Sequence, residues 1–246
     1  MSVDLEVERL YGEVELVRGV GSRNRGELCI MSFVAYLAGE PHTDRPRTAS
    51  SFIRDFAIPL NDGIPTALRQ QLKPFAPRII GTNDGHDLKR AAVLSQMIME
   101  EVVPRAMCDF AHSLDDSRHG LGKPALFSFA AWHKSGPTGS IASHIRAVRD
   151  AHEQGQCFLL ATRAGQLFVA LLLCAPTPAA KRWYWAKALE MLDRLCDVGG
   201  DQARRGSKKA TPVSAQRGSP VLAPGPRQHN HKISRAFRAV REFVSA

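Results

Sequence analysis

Cys29 is the residue whose position most suggests chemistry. It follows a loop with three glycines, residues 19–26, and precedes an apolar stretch, residues 28–38, that is typical of a buried helix. A thiol at a helix N-terminus has a lowered pKa, because the free N–H groups and the helix dipole favour the thiolate. One hypothesis is therefore that Cys29 is the nucleophile of a small hydrolase.

A cysteine hydrolase also needs a histidine as base and a polar side chain that orients it. We take His42 and Asp44 as the candidate catalytic partners of Cys29. The wider set of candidates comprises His86, His112, His119 and His133 as bases, with Asp62 or Asp84 as orienting groups. The helix after Cys29 is wholly apolar, and no glutamine precedes Cys29 to build an oxyanion hole. These features favour the alternative, a packed structural cysteine.

The loop after the first predicted helix carries Glu40, His42 and Asp44, which with Asp62 or Asp84 could form a metal site with nitrogen and oxygen ligands. Asp and Thr also cap helices and close turns through local hydrogen bonds. The turn sequences around these residues favour the second interpretation. We therefore predict no metal site and no cofactor.

The elements that would position these residues are mainly helical. The spacing of apolar residues predicts helices over residues 28–38, 50–57, 66–73, 87–103, 105–114, 141–154 and 178–198. Residues 59–65 and 74–84 are predicted as connections, and residues 3–20 fit a short helix or a strand pair. Residues 156–175 form either a β-hairpin with a turn at 163–166 or a buried helix, and their Leu and Ala content favours the helix. The fold class is a mainly α single domain, residues 1–200, with a possible short β-hairpin.

The positive charge of the chain lies in its C-terminal part. The net charge is +9, and residues 201–246 hold ten Lys or Arg and two acidic residues, a net of +8. The first 200 residues are therefore nearly neutral. Residues 201–232, with four prolines and three glycines, are predicted as a disordered basic linker. Residues 233–246 are predicted as a terminal amphipathic helix with Ile233, Phe237, Val240 and Val244 on one stripe.

A basic linker of this kind attracts polyanions such as nucleic acid without reading their sequence. The candidate nucleic-acid-binding residues are Arg204, Arg205, Lys208, Lys209, Arg217, Arg235, Arg238 and Arg241. The terminal helix could instead pack on the protein's own body, on a partner or on an anionic membrane surface.

A run of motifs links Cys29 to Gly85: Cys29-x-Met31, Ala38-Gly39-Glu40, Thr43-Asp44-x-Pro46, Asn61-Asp62 and Gly81-Thr82. This run, which covers about a quarter to a third of the chain, resembles an uncharacterised family of bacterial, largely actinobacterial, and phage-encoded proteins. That family has no assigned activity, so the resemblance implies an association with phages or mobile elements and no catalytic residues.

The cysteine pattern and the absence of a signal or a membrane-spanning run predict a cytoplasmic protein. The five cysteines are widely spaced and odd in number, which argues against a disulfide framework. Cys108, Cys174 and Cys196 lie in apolar stretches and are expected to be buried. Residues 183–185, Trp-Tyr-Trp, cannot all face one core, so an interaction surface is expected there. The sequence thus favours a non-enzymatic interaction or accessory protein with a protein partner, whose oligomeric state stays open.

Overall fold

The computed structural model describes residues 12–110 and 141–199. This part of the chain is mainly helical, which confirms the predicted fold class. The helices in chain order are α1 (Ile30–Leu37), α2 (Ser51–Gly63), α3 (Thr66–Arg69), α4 (Ala76–Ile79), α5 (Asp87–Met97), α6 (Val103–Asp109), α7 (Ile141–Glu153), α8 (Cys157–Cys174) and α9 (Pro178–Asp197). The predicted linker 201–232 and terminal helix 233–246 lie outside the described residues, as do residues 3–11 of the undecided N-terminal stretch.

Helix α8 is the centre of the fold. It packs along α2 and α7 and also contacts α5 and α9. Gly165 permits the close approach to α2, because a Cβ atom at this position would lie 2.6 Å from the Phe56 carbonyl oxygen. Phe168 meets Phe56 edge to face, with ring centroids 6.1 Å apart. The helical interpretation of residues 156–175 is therefore confirmed, and the alternative hairpin is wrong.

Helix α8 is also the one helix in the described residues that is long and apolar enough to cross a bilayer. Its single charged residue is Arg163. Other parts of the fold bury 61% of this stretch, so its apolar character is explained by its central position. No clear membrane span follows from it.

Helices α5 and α6 form one long rod that is interrupted by a π-helical turn, Ile98–Val102. The N–H of Val103 donates to the carbonyl of Ile98, five residues back, and Pro104 follows directly. Proline has no N–H and its ring clashes with the carbonyl four residues earlier, so a wider turn before it removes the conflict. The predicted helices 87–103 and 105–114 correspond to the two parts of this rod, and the regular helix is interrupted just before Pro104.

Helix α9 runs antiparallel to this rod. Arg90, near the start of α5, donates to the carbonyls of Leu195 and Val198 at the end of α9. At the other end, the Tyr184 hydroxyl donates to Asp109, the last residue of α6. Thr177 caps the start of α9 by accepting the N–H of Ala180. With 20 residues, α9 spans about 30 Å and connects the two ends of the bundle.

A small sheet precedes α1. Its strands are β1 (Glu15–Leu16), β2 (Gly21–Ser22) and β3 (Glu27–Leu28), in the order β1-β3-β2. The β1–β3 pair is parallel and the β2–β3 pair is antiparallel. Gly21 has a φ of 77°, and a Cβ atom there would lie 2.2 Å from the Glu27 carbonyl oxygen, so the hairpin requires glycine.

Two predicted connections are helical in the structure. Helix α2 continues through residues 59–63 to Gly63, with Asn61 and Asp62 buried at its C-terminal end. Residues 74–79 belong to a 3-10 helix, Gln70–Phe75, and to α4. The turn-type residues mislead here because Asn61 and Asp62 use their side chains for long-range hydrogen bonds instead of local turns.

Candidate functional site

Cys29 is the N-cap residue of α1. Its sulfur accepts the N–H of Ser32 and its thiol donates to the Ser32 hydroxyl, both at 3.2 Å. The side chain is buried, with 3% exposed. Burial raises the pKa of the thiol, and the hydrogen bonds from Ser32 oppose this only in part. The expected lowering of this pKa at the helix N-terminus is therefore wrong.

The structure does not join Cys29, His42 and Asp44 into a catalytic group. The Nε2 atom of His42 lies 3.3 Å from the Gly21 carbonyl oxygen, on the exposed side of the sheet. Asp44 makes no hydrogen bond or ion pair with other residues in the ranges 12–110 and 141–199. The candidate bases His112, His119 and His133 lie outside these ranges. The cysteine hydrolase stays a prediction, and the geometry of the described residues provides no base for it.

The polar residues of the Asn61-Asp62 motif connect α2 to the sheet region. The Asn61 amide accepts the N–H of Ile30 at 3.1 Å and donates to the carbonyl of Val17 at 2.8 Å. Asp62 accepts the N–H of Gly19 at 2.9 Å. These bonds hold the start of α1 and the loop before it against the end of α2.

Other motif residues hold the loop between α1 and α2. Both oxygens of the Glu40 carboxylate accept backbone N–H groups, from Arg47 at 2.7 Å and Thr48 at 3.0 Å. Thr82 accepts the N–H of Ser50 at 2.9 Å, and Asn83 donates to the carbonyl of Arg47 at 2.8 Å. The contacts of this loop are those of turns and caps. Among residues 12–110 and 141–199, no group of three His, Cys, Asp or Glu side chains could hold a metal ion.

A buried ion-pair cluster around Arg90 was not predicted from the sequence. The Arg90 side chain is fully buried and donates to both carboxylate oxygens of Asp84, at 2.7 and 2.9 Å, and to Asp87 at 3.1 Å. Asp87 in turn accepts the hydroxyl of Ser50 at 2.6 Å, at the start of α2. The cluster thus joins the starts of α2 and α5 to the end of α9. In the sequence, Asp84 lies six residues and Asp87 three residues before Arg90. This spacing also fits a simple N-cap.

Partial burial opposes the charged form of Asp84, but the hydrogen bonds from Arg90 and the His86 N–H outweigh it and lower the Asp84 pKa. The chain beyond α9 passes directly over this carboxylate, because a Cβ atom on Gly199 would lie 2.2 Å from Asp84 Oδ2. The cluster is therefore a structural anchor that fixes where α9 ends.

A serine–histidine contact joins α5 to α7. The Ser95 hydroxyl lies 2.6 Å from Nδ1 of His152. Such a pair could activate a nucleophile if a third group oriented the histidine. In the described part of the chain no carboxylate contacts His152, and Ser95 is buried in the middle of a helix. The contact therefore serves to connect two helices.

An open cleft of about 270 Å³ lies beside the sheet. Arg23 and Arg25 line it, and the Arg23 guanidinium stacks 4.2 Å from the centre of the Tyr36 ring. Arg25 forms an ion pair with Glu27 at 3.1 Å. The cleft is a shallow, arginine-lined surface next to the motif-bearing segment.

The aromatic residues at the start of α9 divide between core and surface, as the sequence predicts. Tyr184 and Trp185 are buried, whereas Trp183 is only half-buried against the core. The Trp183 ring meets the Tyr184 ring edge to face, with centroids 5.2 Å apart. The cationic groups of Arg105 and Lys187 lie 5.6 and 5.7 Å from the centre of the Trp183 ring. Trp183 therefore lies within cation–π distance of both groups.

These two cations are themselves held by carboxylates. Arg105 donates to Asp109 at 2.9 Å, and Lys187 donates to Glu101 at 2.6 Å and Glu190 at 2.7 Å. Burial raises the pKa of the Tyr184 hydroxyl, and its hydrogen bond to Asp109 raises it further. The two cations near Trp183 are thus paired with carboxylates of the protein itself.

Three helix termini lie at this end of the bundle: α6 ends, α9 begins, and three residues separate the end of α8 from α9. Met107 on α6 and Leu173 on α8 are 50% and 44% exposed. We call this region, with Met107, Leu173 and Trp183, the apolar end. Cys108 and Cys174 lie beside it and are exposed, so their expected burial is wrong; the helices place them on outward faces.

The candidate nucleic-acid-binding residues, from Arg204 to Arg241, lie outside the described residues. The sequence-based assignment of polyanion contacts to them stays a prediction.

Comparisons of the chain with protein-family models, with curated proteins and with solved structures found no match. The function must therefore be inferred from the residues and their geometry.

Proposed function

We propose that the protein is a non-enzymatic interaction protein that binds a protein partner through the apolar end. The observation that carries the proposal is Trp183, a half-buried tryptophan held by ring and cation contacts at the end of the bundle that also carries exposed Met107 and Leu173. Tryptophan and arginine are the residues that most often dominate the binding energy of protein interfaces. A side chain that is already fixed loses little entropy on binding, which favours affinity.

The described part of the chain also holds no assembled catalytic group that would favour an enzyme. Cys29 is buried without a base, and the Ser95–His152 pair has no orienting group among these residues. The free state of all five cysteines suits a reducing compartment, and we propose a cytoplasmic location. The resemblance to bacterial and phage-encoded proteins supports a role as an accessory protein of a mobile element.

The partner should present an apolar pocket of its own, because the charges around Trp183 are already paired within the protein. Affinity enrichment from the source cells, followed by reconstitution with the purified partner, tests this. Wild type should retain the partner, and Trp183→Ala and Met107→Glu should lose it by about tenfold or more, the loss of one interface anchor. Met107→Glu leaves the core contacts of Trp183 intact.

Phe158→Ala is the matched control for this experiment. Phe158 is as exposed as Met107, at 51%, but lies at the start of α8, away from the apolar end. It should retain the partner. Equal retention by all four proteins would contradict a docking role for the apolar end.

A second candidate function is polyanion binding by the C-terminal residues, favoured by their net charge of +8. Helix α9 starts at the apolar end and ends about 30 Å away, so Val198 beside the Arg90 cluster lies at the opposite end of the bundle. Both functions could therefore operate in one molecule. A variant that ends at residue 200 should lose salt-sensitive binding to duplex DNA, and unchanged binding would exclude the tail as its source.

A further inference from the structure

Arg163 is a half-buried cation in an otherwise apolar helix. It is the single charged residue of α8, one turn after exposed Leu159 and three residues before buried Gln166. Burial lowers the pKa of its guanidinium group, and no carboxylate in residues 12–110 and 141–199 raises it. A guanidinium group stays charged in proteins, so a buried position requires compensation.

Two other buried cations of the fold bind carboxylates, and a third, Arg69, donates to the backbone carbonyls of Asn61 and Ile64. Arg90 binds Asp84 and Asp87, and Lys187 binds Glu101 and Glu190. Arg163 differs: among the residues that the structure describes, its hydrogen-bond acceptor is the neutral Gln166 Oε1, at 3.1 Å. The charge of Arg163 therefore has no anionic partner in this part of the chain.

Arg163 and Gln166 together carry several hydrogen-bond donors. Its guanidinium has five N–H donors, and the Gln166 amide, 6% exposed, has two more. Within residues 12–110 and 141–199 the Gln166 amide N–H groups find no acceptor. The pKa of buried His144 on α7 is lowered by burial and then by the charge of Arg163, which places this imidazole within reach of the same positive field. The described residues of this site supply hydrogen-bond donors and no negative charge.

We propose that Arg163 and Gln166 form a binding site for an oxyanion, a carboxylate or a phosphate. The planar fork of a guanidinium matches two oxygens of either group, and the adjacent amide can donate to a third position. The anion would supply the negative charge that the described residues lack. This site lies on α8 and is separate from the apolar end.

The test uses the full chain with inorganic phosphate and with acetate as probes, against chloride at equal ionic strength. The Nε–H resonance of Arg163, assigned by its loss in Arg163→Met, should move and saturate as the binding anion is added. The probe that saturates the shift of this resonance shows whether the site binds a phosphate or a carboxylate. The apparent Kd should rise about tenfold in Gln166→Leu, the effect of one lost charge-assisted hydrogen bond.

Thermal unfolding gives a second, independent measurement. In chloride, Arg163→Met should unfold at a higher temperature than wild type, because it removes an uncompensated charge, and it should lose the extra stabilisation by the anion. Arg146→Met, which removes an exposed arginine of α7, should keep that stabilisation. If phosphate or acetate stabilises wild type, Arg163→Met and Arg146→Met equally, the effect is a general salt effect and the proposal is overturned. An Arg163 resonance that does not move when the anion is added also overturns it.

Discussion

Arg90→Met should destabilise the fold strongly, because the Arg90 cluster joins three helix ends. The substitution removes three hydrogen bonds to carboxylates and two to carbonyls, and leaves Asp84 and Asp87 without their cation. Breaking a buried ion pair by removing one partner costs about 3 to 5 kcal/mol. The side chains of Asp84 and Asp87 are 25% and 28% exposed, so water partly solvates them, and we expect about 3 kcal/mol.

Urea unfolding followed by circular dichroism measures this loss directly. For a body of this size it corresponds to a fall in Tm of roughly 6 to 12 °C. Arg90→Lys should lose less, about 2 kcal/mol, because one ammonium cannot span both carboxylates and the two carbonyls. Arg149→Met, which breaks an exposed pair at 3.9 Å, should change the free energy of unfolding by less than about 0.5 kcal/mol. An Arg90→Met protein within about 1 kcal/mol of wild type would refute this reasoning.

Three further predictions concern packing, pH and thiol reactivity. Gly165→Ala should lower the free energy of unfolding in urea by about 1 to 2 kcal/mol, because the clash of a Cβ atom 2.6 Å from the Phe56 carbonyl oxygen outweighs the gain in helix propensity. A stabilised variant would show that α8 can move away from α2. The pKa of Asp84 is lowered in the folded state, so its contribution to stability is present above its unfolded pKa of about 3.9 and is lost as the pH falls through the folded pKa. Asp84→Asn should therefore lose less stability than wild type below about pH 4. Parallel curves of unfolding free energy against pH for the two proteins would argue against this role of Asp84. Iodoacetamide at about pH 6 should label Cys29 more slowly than exposed Cys108, and the reverse order would revive the nucleophile hypothesis.

The helices that the sequence predicts best are those with a clear apolar stripe or a clear start and stop. Predicted residues 178–198 correspond to α9, which begins after the Thr177 cap and has proline in its first position. Predicted residues 141–154 correspond to α7. These helices depend on local signals, so the sequence alone is sufficient.

The errors arise where long-range contacts override local preference. Asn61 and Asp62 are typical turn residues, but here their side chains satisfy backbone groups of the sheet region, more than 30 residues away, and the helix continues through them. For Cys29, the helix N-terminus predicts a lowered pKa, but burial of the side chain has the larger effect and raises it. The spacing of Asp84 and Asp87 before Arg90 fits a simple N-cap equally well, so the burial of Arg90 could not be predicted from it.

Hydrogen exchange on the reconstituted complex with the enriched partner tests the central proposal most directly. Binding through the apolar end should protect the end of α6, the last turn of α8 and the first two turns of α9, around Trp183. Helix α8 near Phe158 should exchange as in the free protein. Protection confined to the start of α8 or to residues after 199, with the Trp183 region unchanged, would contradict the proposal.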